Sequence, residues 1–193
     1  SITQILNQAK NLGIQVIYGD TDSIFLKNPS KEQIEKLSQW TELELKMSLD
    51  VDKVYRYAVF SQRKKNYLGV LEDGSVDVKG LTGKKRHIPL FIKKAFDRMK
   101  ERLAMVKTPA EFEKAKKDIA EIVRDCYMRL KRREWDSIEE LAFNVVLGEE
   151  PKHYVKTTPQ HVKAARILEK KGMELKAGDL ISFVKVIKEP HVK

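Results

Sequence analysis

The string Tyr18-Gly19-Asp20-Thr21-Asp22-Ser23 separates two short apolar runs, Ile14, Val16 and Ile17 before it and Ile24, Phe25 and Leu26 after it. Such β-branched and aromatic residues suit buried strands, so the segment predicts a β-hairpin over residues 14–27. Gly19 allows close backbone approach, and two carboxylates two positions apart share one face wherever the backbone is extended. A hard divalent cation suits that pair. Mg²⁺ takes oxygen ligands and keeps several waters, so one or two protein carboxylates plus substrate phosphate oxygens are enough to hold it. An Asp-X-Asp turn by itself is usually a solvated loop, and the weight rests on the complete string.

That string, Tyr18 to Ile24, resembles motif C of the family-B DNA polymerases. About forty residues on, Arg63-Lys64-Lys65-Asn66-Tyr67-Leu68-Gly69 is similar to the family's Lys-Lys-X-Tyr element. A Lys79-Gly80-Leu81 turn and the basic Lys84-Lys85-Arg86 follow, as in archaeal members. Tyr154, Thr158-Pro159-Gln160-His161-Val162, Gly172 and Gly178 resemble the archaeal thumb segment. The matching elements run in order along nearly the whole chain. They are similar to the C-terminal palm and thumb portion of an archaeal, crenarchaeal-type replicative polymerase.

The resemblance implies an α+β fold. A palm portion with an antiparallel sheet and packed helices would span residues 1–88, and a mainly helical thumb residues 89–193. It implies a DNA-directed DNA polymerase that adds deoxynucleotides to a primer 3′ end by two-metal phosphoryl transfer with Mg²⁺. Asp22 would be the shared metal ligand and Asp20 a supporting carboxylate, with Thr21 and Tyr18 at the primer terminus. Lys64, Lys65 and Tyr67 would hold the primer-template end, and Lys84, Lys85 and Arg86 would grip backbone phosphates. Asn66 stands where Arg is common in relatives. Asp50 and Asp52 fall where archaeal members carry acids near the metal, and either stand behind the metal's own ligands or form a plain exposed strand face.

The family's first catalytic aspartate, its Lys-X3-Asn-Ser-X-Tyr-Gly nucleotide-binding helix and its exonuclease region have no match in these residues. The expected partners are therefore primer-template DNA, a deoxynucleoside triphosphate and the remaining polymerase segment. The chain by itself is expected to be inactive. The competing reading is a non-catalytic DNA-binding module that retains the fold.

Charge bears on this independently of any motif. The net charge of +10 and pI near 9.5 favour a polyanionic partner. Residues 61–102 hold twelve Lys or Arg against five acids, an excess of +7. Contacts to phosphate explain that excess without any reading of base sequence, while solvated helix faces explain it without DNA. The lone Cys126 excludes an internal disulfide and a Cys-based zinc cluster, and the four histidines show no paired metal spacing. No apolar run approaches the ~18 residues of a membrane span. The expectation is a soluble protein of the cytoplasm, at the archaeal nucleoid, with no membrane partner.

Elsewhere the spacing predicts a helix from Ile2 ended by Gly13, and a second from a Ser30-X-X-Gln33 capping box to about Met47. Strands are expected over 49–52, 55–61, 66–71 and 76–79, with Glu72-Asp73-Gly74 as a hairpin turn. Helices follow from Pro89, from Thr108-Pro109 to Arg133, at Ser137, and from Thr158 to Gly172; a last strand spans 180–187.

Overall fold

A computed structural model describes residues 1–81, 83, 85 and 87–186, and the chain divides into two units, residues 1–55 and 56–193. The first unit contains helix α1 (Ile2–Asn11), strands β1 (Gln15–Gly19) and β2 (Ile24–Lys27), and helix α2 (Lys31–Leu45). Ile5, Ala9, Ile14 and Leu37 form its buried core, with Leu12, Val16, Ile24, Leu26, Trp40, Leu45 and Leu49 packed around them. Gly13, at φ +70°, takes the left-handed conformation that ends α1 and turns the chain into β1. Gln33 Nε2 donates to the Leu12 carbonyl at 3.0 Å, tying α2 to that turn.

The capping box at Ser30 is complete: the Gln33 amide donates to Ser30 Oγ at 3.1 Å, and the Ser30 amide to Gln33 Oε1 at 2.9 Å. Helix α2 ends at Leu45, two residues short of the expected Met47, because Lys46 adopts φ +54°. The expected strand over 49–52 does not form. Leu49 instead packs on the core, and its carbonyl accepts a hydrogen bond from Ser38 Oγ at 2.9 Å.

The second unit begins with β3 (Tyr55–Phe60, whose first residue closes the first unit), β4 (Tyr67–Leu71) and β5 (Val76–Lys79), in the order β3-β4-β5. Strands β4 and β5 are antiparallel, with Tyr67 opposite Lys79 and Val70 opposite Val76. Their turn closes with the Leu71 amide donating to the Ser75 carbonyl at 2.9 Å. Leu68, Val70 and Val78 are buried under Tyr57, Phe96 and Leu103.

Helix α3 (Leu90–Ala104) and helix α4 (Pro109–Arg132) follow as an antiparallel pair, crossed by ion pairs from Arg98 to Asp125 at 3.5 Å and from Arg102 to Asp118. Thr108 and Glu111 cap α4 with reciprocal bonds, and Pro109 occupies its first turn. Backbone amides of Lys107 and Thr108 hold the Glu111 carboxyl below its usual range. Cys126 lies half-buried on α4, where burial pushes its thiol up.

A 3-10 turn at Ile138–Leu141 presents Glu140 to Lys94 of α3. Strands β6 (Phe143–Val146) and β7 (Leu180–Phe183) then pair antiparallel around helix α5 (Gln160–Glu169), burying Leu147, Val162, Ala165 and Ile181. Strand β6 is absent from the sequence reading: Asn144 is polar, and Phe143-Asn144-Val145-Val146 is too short to signal a strand without its partner. The α+β class holds among the described residues, as three small sheets with five α-helices. The last described strand residue is Phe183, and residues 187–193 lie outside the described ones.

Tyr57 joins the two layers of the second unit. Its hydroxyl donates to the Leu103 carbonyl at 2.6 Å, and its ring meets Phe112 edge-on at 5.8 Å. Burial raises its ionisation above the ordinary value of 10.0. A raised acid is stabilising while protonated, so this contribution is complete below about pH 10 and fades as pH rises through the higher folded value. Tyr57→Phe keeps the ring and removes the bond; urea unfolding at pH 7 should show a loss of about 1 kcal/mol. The variant should also lose less stability than the parent between pH 9 and pH 11.

Candidate functional site

The first cluster of chemical interest lies at the end of the β1–β2 hairpin. The ladder pairs Gln15 with Lys27, Val16 with Leu26, Tyr18 with Phe25 and Gly19 with Ile24, with a bulge between Val16 and Tyr18. Its last pair leaves Asp20, Thr21, Asp22 and Ser23 as a four-residue loop, closed by the Asp20 amide donating to the Ser23 carbonyl at 2.8 Å. Both aspartates therefore lie in the loop. The strand alternation expected to send them to one face stops at Gly19.

They are also unequal. Asp20 is half-buried, and its Oδ1 accepts from the Thr21 amide at 2.8 Å and from Thr21 Oγ1 at 3.3 Å. Asp22 is exposed. Asp20 thus shapes the turn, and Asp22 is presented to solvent. Tyr18 packs edge-on against Phe25 at 5.8 Å, and Phe25 stacks on Tyr55 at 6.0 Å. A Cβ at Gly19 would meet only ordinary contacts, Leu6 at 3.5 Å and Ile24 at 3.9 Å, so packing within the unit does not demand glycine there.

Asp50 and Asp52 are exposed on the irregular 46–54 segment, and Asp50 Oδ2 accepts from Ser48 Oγ at 2.9 Å. The strand expected at 49–52 is absent, but both residues are exposed, as a plain surface position would be. Among the described residues, no three His, Cys, Asp or Glu side chains gather closely enough to hold a metal ion. The donor set of the loop fits a Mg²⁺ ion held by one or two carboxylates with phosphate oxygens as its other ligands. It does not by itself fit a pair of metals enclosed by protein.

The second cluster belongs to the second unit. Lys64 and Lys65 are exposed on the turn joining β3 to β4, and Tyr67 is half-buried in β4 with its ring 5.9 Å from that of Phe60. The aromatic partner Phe60, seven residues away on the neighbouring strand, escaped the sequence reading because only the register of β3 brings it there. Asn66 is turned into the backbone, its Nδ2 donating to the Lys64 carbonyl at 2.8 Å. Lys85 is exposed, while Lys84 and Arg86 lie outside the described residues.

Part of the basic excess over 61–102 is neutralised where it stands. Lys94 bonds to the buried Glu140, Arg98 to Asp125, Lys100 to Asp97 at 2.6 Å, and Arg102 to Asp118. Lys94 holds the Glu140 carboxyl below its usual range. Lys94, Arg98 and Arg102 therefore serve the packing of α3 against α4 and the 138–141 turn, which sequence spacing did not reveal because their partners are remote, whereas Lys100 pairs within its own helix.

The family model for DNA polymerase family B matches residues 2–193. The chain is 42% identical over 192 residues to DNA polymerase 1 of Sulfurisphaera ohwakuensis and 41% to DNA polymerase 1 of Saccharolobus solfataricus, covering 100% of this chain and 22% of each relative. It thus spans about a fifth of the length of the curated relatives it matches. The solved family B DNA polymerase from the hyperthermophilic archaeon Pyrobaculum calidifontis superposes with a TM-score of 0.64 at 30% identity, over 99% of this chain and 24% of that one. No helix among the described residues is long and apolar enough to cross a membrane.

The unequal roles of the two aspartates have a measurable signature in stability. Asp20→Ala removes the acceptor that fixes Thr21 and should lower the unfolding free energy by about 1 kcal/mol. Asp22→Ala, at an exposed loop position, should stay within about 0.5 kcal/mol of the parent. Thermal or urea unfolding of the two variants side by side reads the difference.

Proposed function

This chain belongs to DNA polymerase family B, and from that premise we propose that it supplies the motif C turn and the primer-template grip of an archaeal, crenarchaeal-type replicative DNA polymerase. The observation that carries the proposal is the 20–23 loop, which uses Asp20 to fix its shape and leaves Asp22 exposed at a hairpin end. Asp22 is the metal ligand of this reading, and Asp20 the supporting carboxylate. Thr21 and Tyr18 stand at the primer terminus. The unforced glycine at position 19 supports the same reading, because glycine in a strand suits the close approach of another backbone or a ligand.

Asp22, with Asp20 supporting it, would hold Mg²⁺ at this loop, and the ion would supply neutralisation of triphosphate charge and a lowered cost of ionising the primer hydroxyl. The remaining carboxylate donors, the exonuclease, the first palm part and the fingers come from the rest of the polymerase, so the chain alone is inactive. Asp50 and Asp52 stand behind the metal's own ligands.

In the same reading, residues 1–88 form the C-terminal part of the palm and residues 89–193 the thumb. The change from strands to helices after β5 supports that boundary, which falls inside the second compact unit. Lys64, Lys65 and Tyr67 hold the end of the primer-template. Lys84, Lys85 and Arg86 contact backbone phosphates. The substrates are primer-template DNA and deoxynucleoside triphosphates, and the place of action is the archaeal nucleoid.

The test is a chimera in which residues 2–193 replace the matching segment of the Saccharolobus solfataricus DNA polymerase 1, assayed for primer extension with Mg²⁺. Extension is expected, with Asp22→Ala lowering it at least ~10³-fold, since loss of a metal ligand forfeits several kcal/mol of transition-state stabilisation. A folded chimera that binds DNA without extending it, or that extends equally well without Asp22, would leave the non-catalytic DNA-binding module as the correct reading.

A further inference from the structure

The β4–β5 ladder ends at Tyr67 opposite Lys79, which brings Asn66 against Gly80 one step beyond it. Gly80 has φ +67°, and the Leu81 amide donates to the Lys79 carbonyl at 2.8 Å, so Gly80 is the centre of a γ-turn. A Cβ on Gly80 would lie inside contact distance of the Lys65 carbonyl oxygen, 2.8 Å from Asn66 Oδ1 and 3.0 Å from Asn66 Cγ. Gly172 and Gly178 also have positive φ, but nothing lies within 4 Å of the position of their missing Cβ. At Gly80, glycine is required by conformation and by space together.

The facing turn is held as closely. Asn66 Nδ2 donates to the Lys64 carbonyl at 2.8 Å, the Ser61 amide to the Asn66 carbonyl at 3.0 Å, and the Arg63 amide to Ser61 Oγ at 3.1 Å. Within this frame Lys65 adopts φ +60°. A lysine in the left-handed region carries a steric penalty, and it stays there only where its surroundings over-determine the backbone.

We propose that Gly80 and Asn66 are positioning residues that hold the Lys64–Lys65 turn in the backbone shape from which both lysines reach DNA. The proposal rests on the DNA-contact reading of those lysines given above. It gives the Asn66 side chain an inward role, in which the amide locks the turn, whereas an arginine there would add a charge.

The test is a thermodynamic cycle on the full 193-residue chain, using fluorescence anisotropy with a labelled primer-template duplex over a range of salt concentrations. The double variant Lys64→Ala/Lys65→Ala should weaken binding and lower the salt slope by about 2. Gly80→Ala and Asn66→Ala should each weaken binding and lower the slope by about 1, as for one misdirected phosphate contact. In the background lacking both lysines, either change should alter affinity less than about twofold, because residues acting through a shared partner are not additive.

Full effects that persist in that background would overturn the proposal, as would parental affinity and slope in Asn66→Ala. If Gly80→Ala fails to fold, Asn66→Ala adds no atoms and decides the matter. Unchanged binding by the double lysine variant would instead refute the DNA-contact reading, and this proposal with it.

Discussion

Charged side chains cost free energy to bury, yet chemistry on a polyanion needs them held still. A hairpin end meets both demands, because the paired strands carry the burial and the connecting loop stays in water. In the first unit, Ile14, Val16, Ile24 and Leu26 pack on α1 and α2 while the loop at 20–23 carries the carboxylates. In the second, Leu68, Val70 and Val78 are buried while the turn at 63–66 carries the lysines. Each loop is then fixed by one of its own polar side chains, Asp20 in one and Asn66 in the other. The residue that fixes the loop differs from the residues it presents.

Electrostatics divide the second unit in a similar way. Each ion pair along α3 is worth little on its own at a partly exposed site. Together, the pairs assign Lys94, Arg98 and Arg102 to neighbouring elements and reduce what a formal charge count offers to DNA. The excess of +7 over residues 61–102 overstates the charge that faces solvent without an acidic neighbour.

Where a residue's neighbours in sequence decide its role, the sequence was legible. Gly13, the Ser30–Gln33 box and the Thr108-Pro109 start act within one helical turn, and each does what its spacing implied. The loop of motif C was equally readable as a turn, although the unequal burial of its two aspartates depends on Thr21 hydrogen bonds that no pattern encodes. Remote partners defeated the reading. Strand β6 exists because Leu180–Phe183 returns to pair with it, 34 or more residues later. The segment at 49–52 meets Ser38 of α2 at Leu49 where a strand was expected, and the inward amide of Asn66 was invisible where only its lost charge could be counted.

Cys126 is the single thiol of the chain, half-buried on α4 among Asp125, Arg129 and Arg98, with burial keeping it protonated beyond its ordinary range. Maleimides and related reagents attack the thiolate, so this sulfur is a slow competitor at neutral pH. A second cysteine introduced at an exposed position would be modified first. These 193 residues therefore come close to a ready background for attaching one fluorophore or spin label where an experimenter chooses, with no need to remove the thiol they already have.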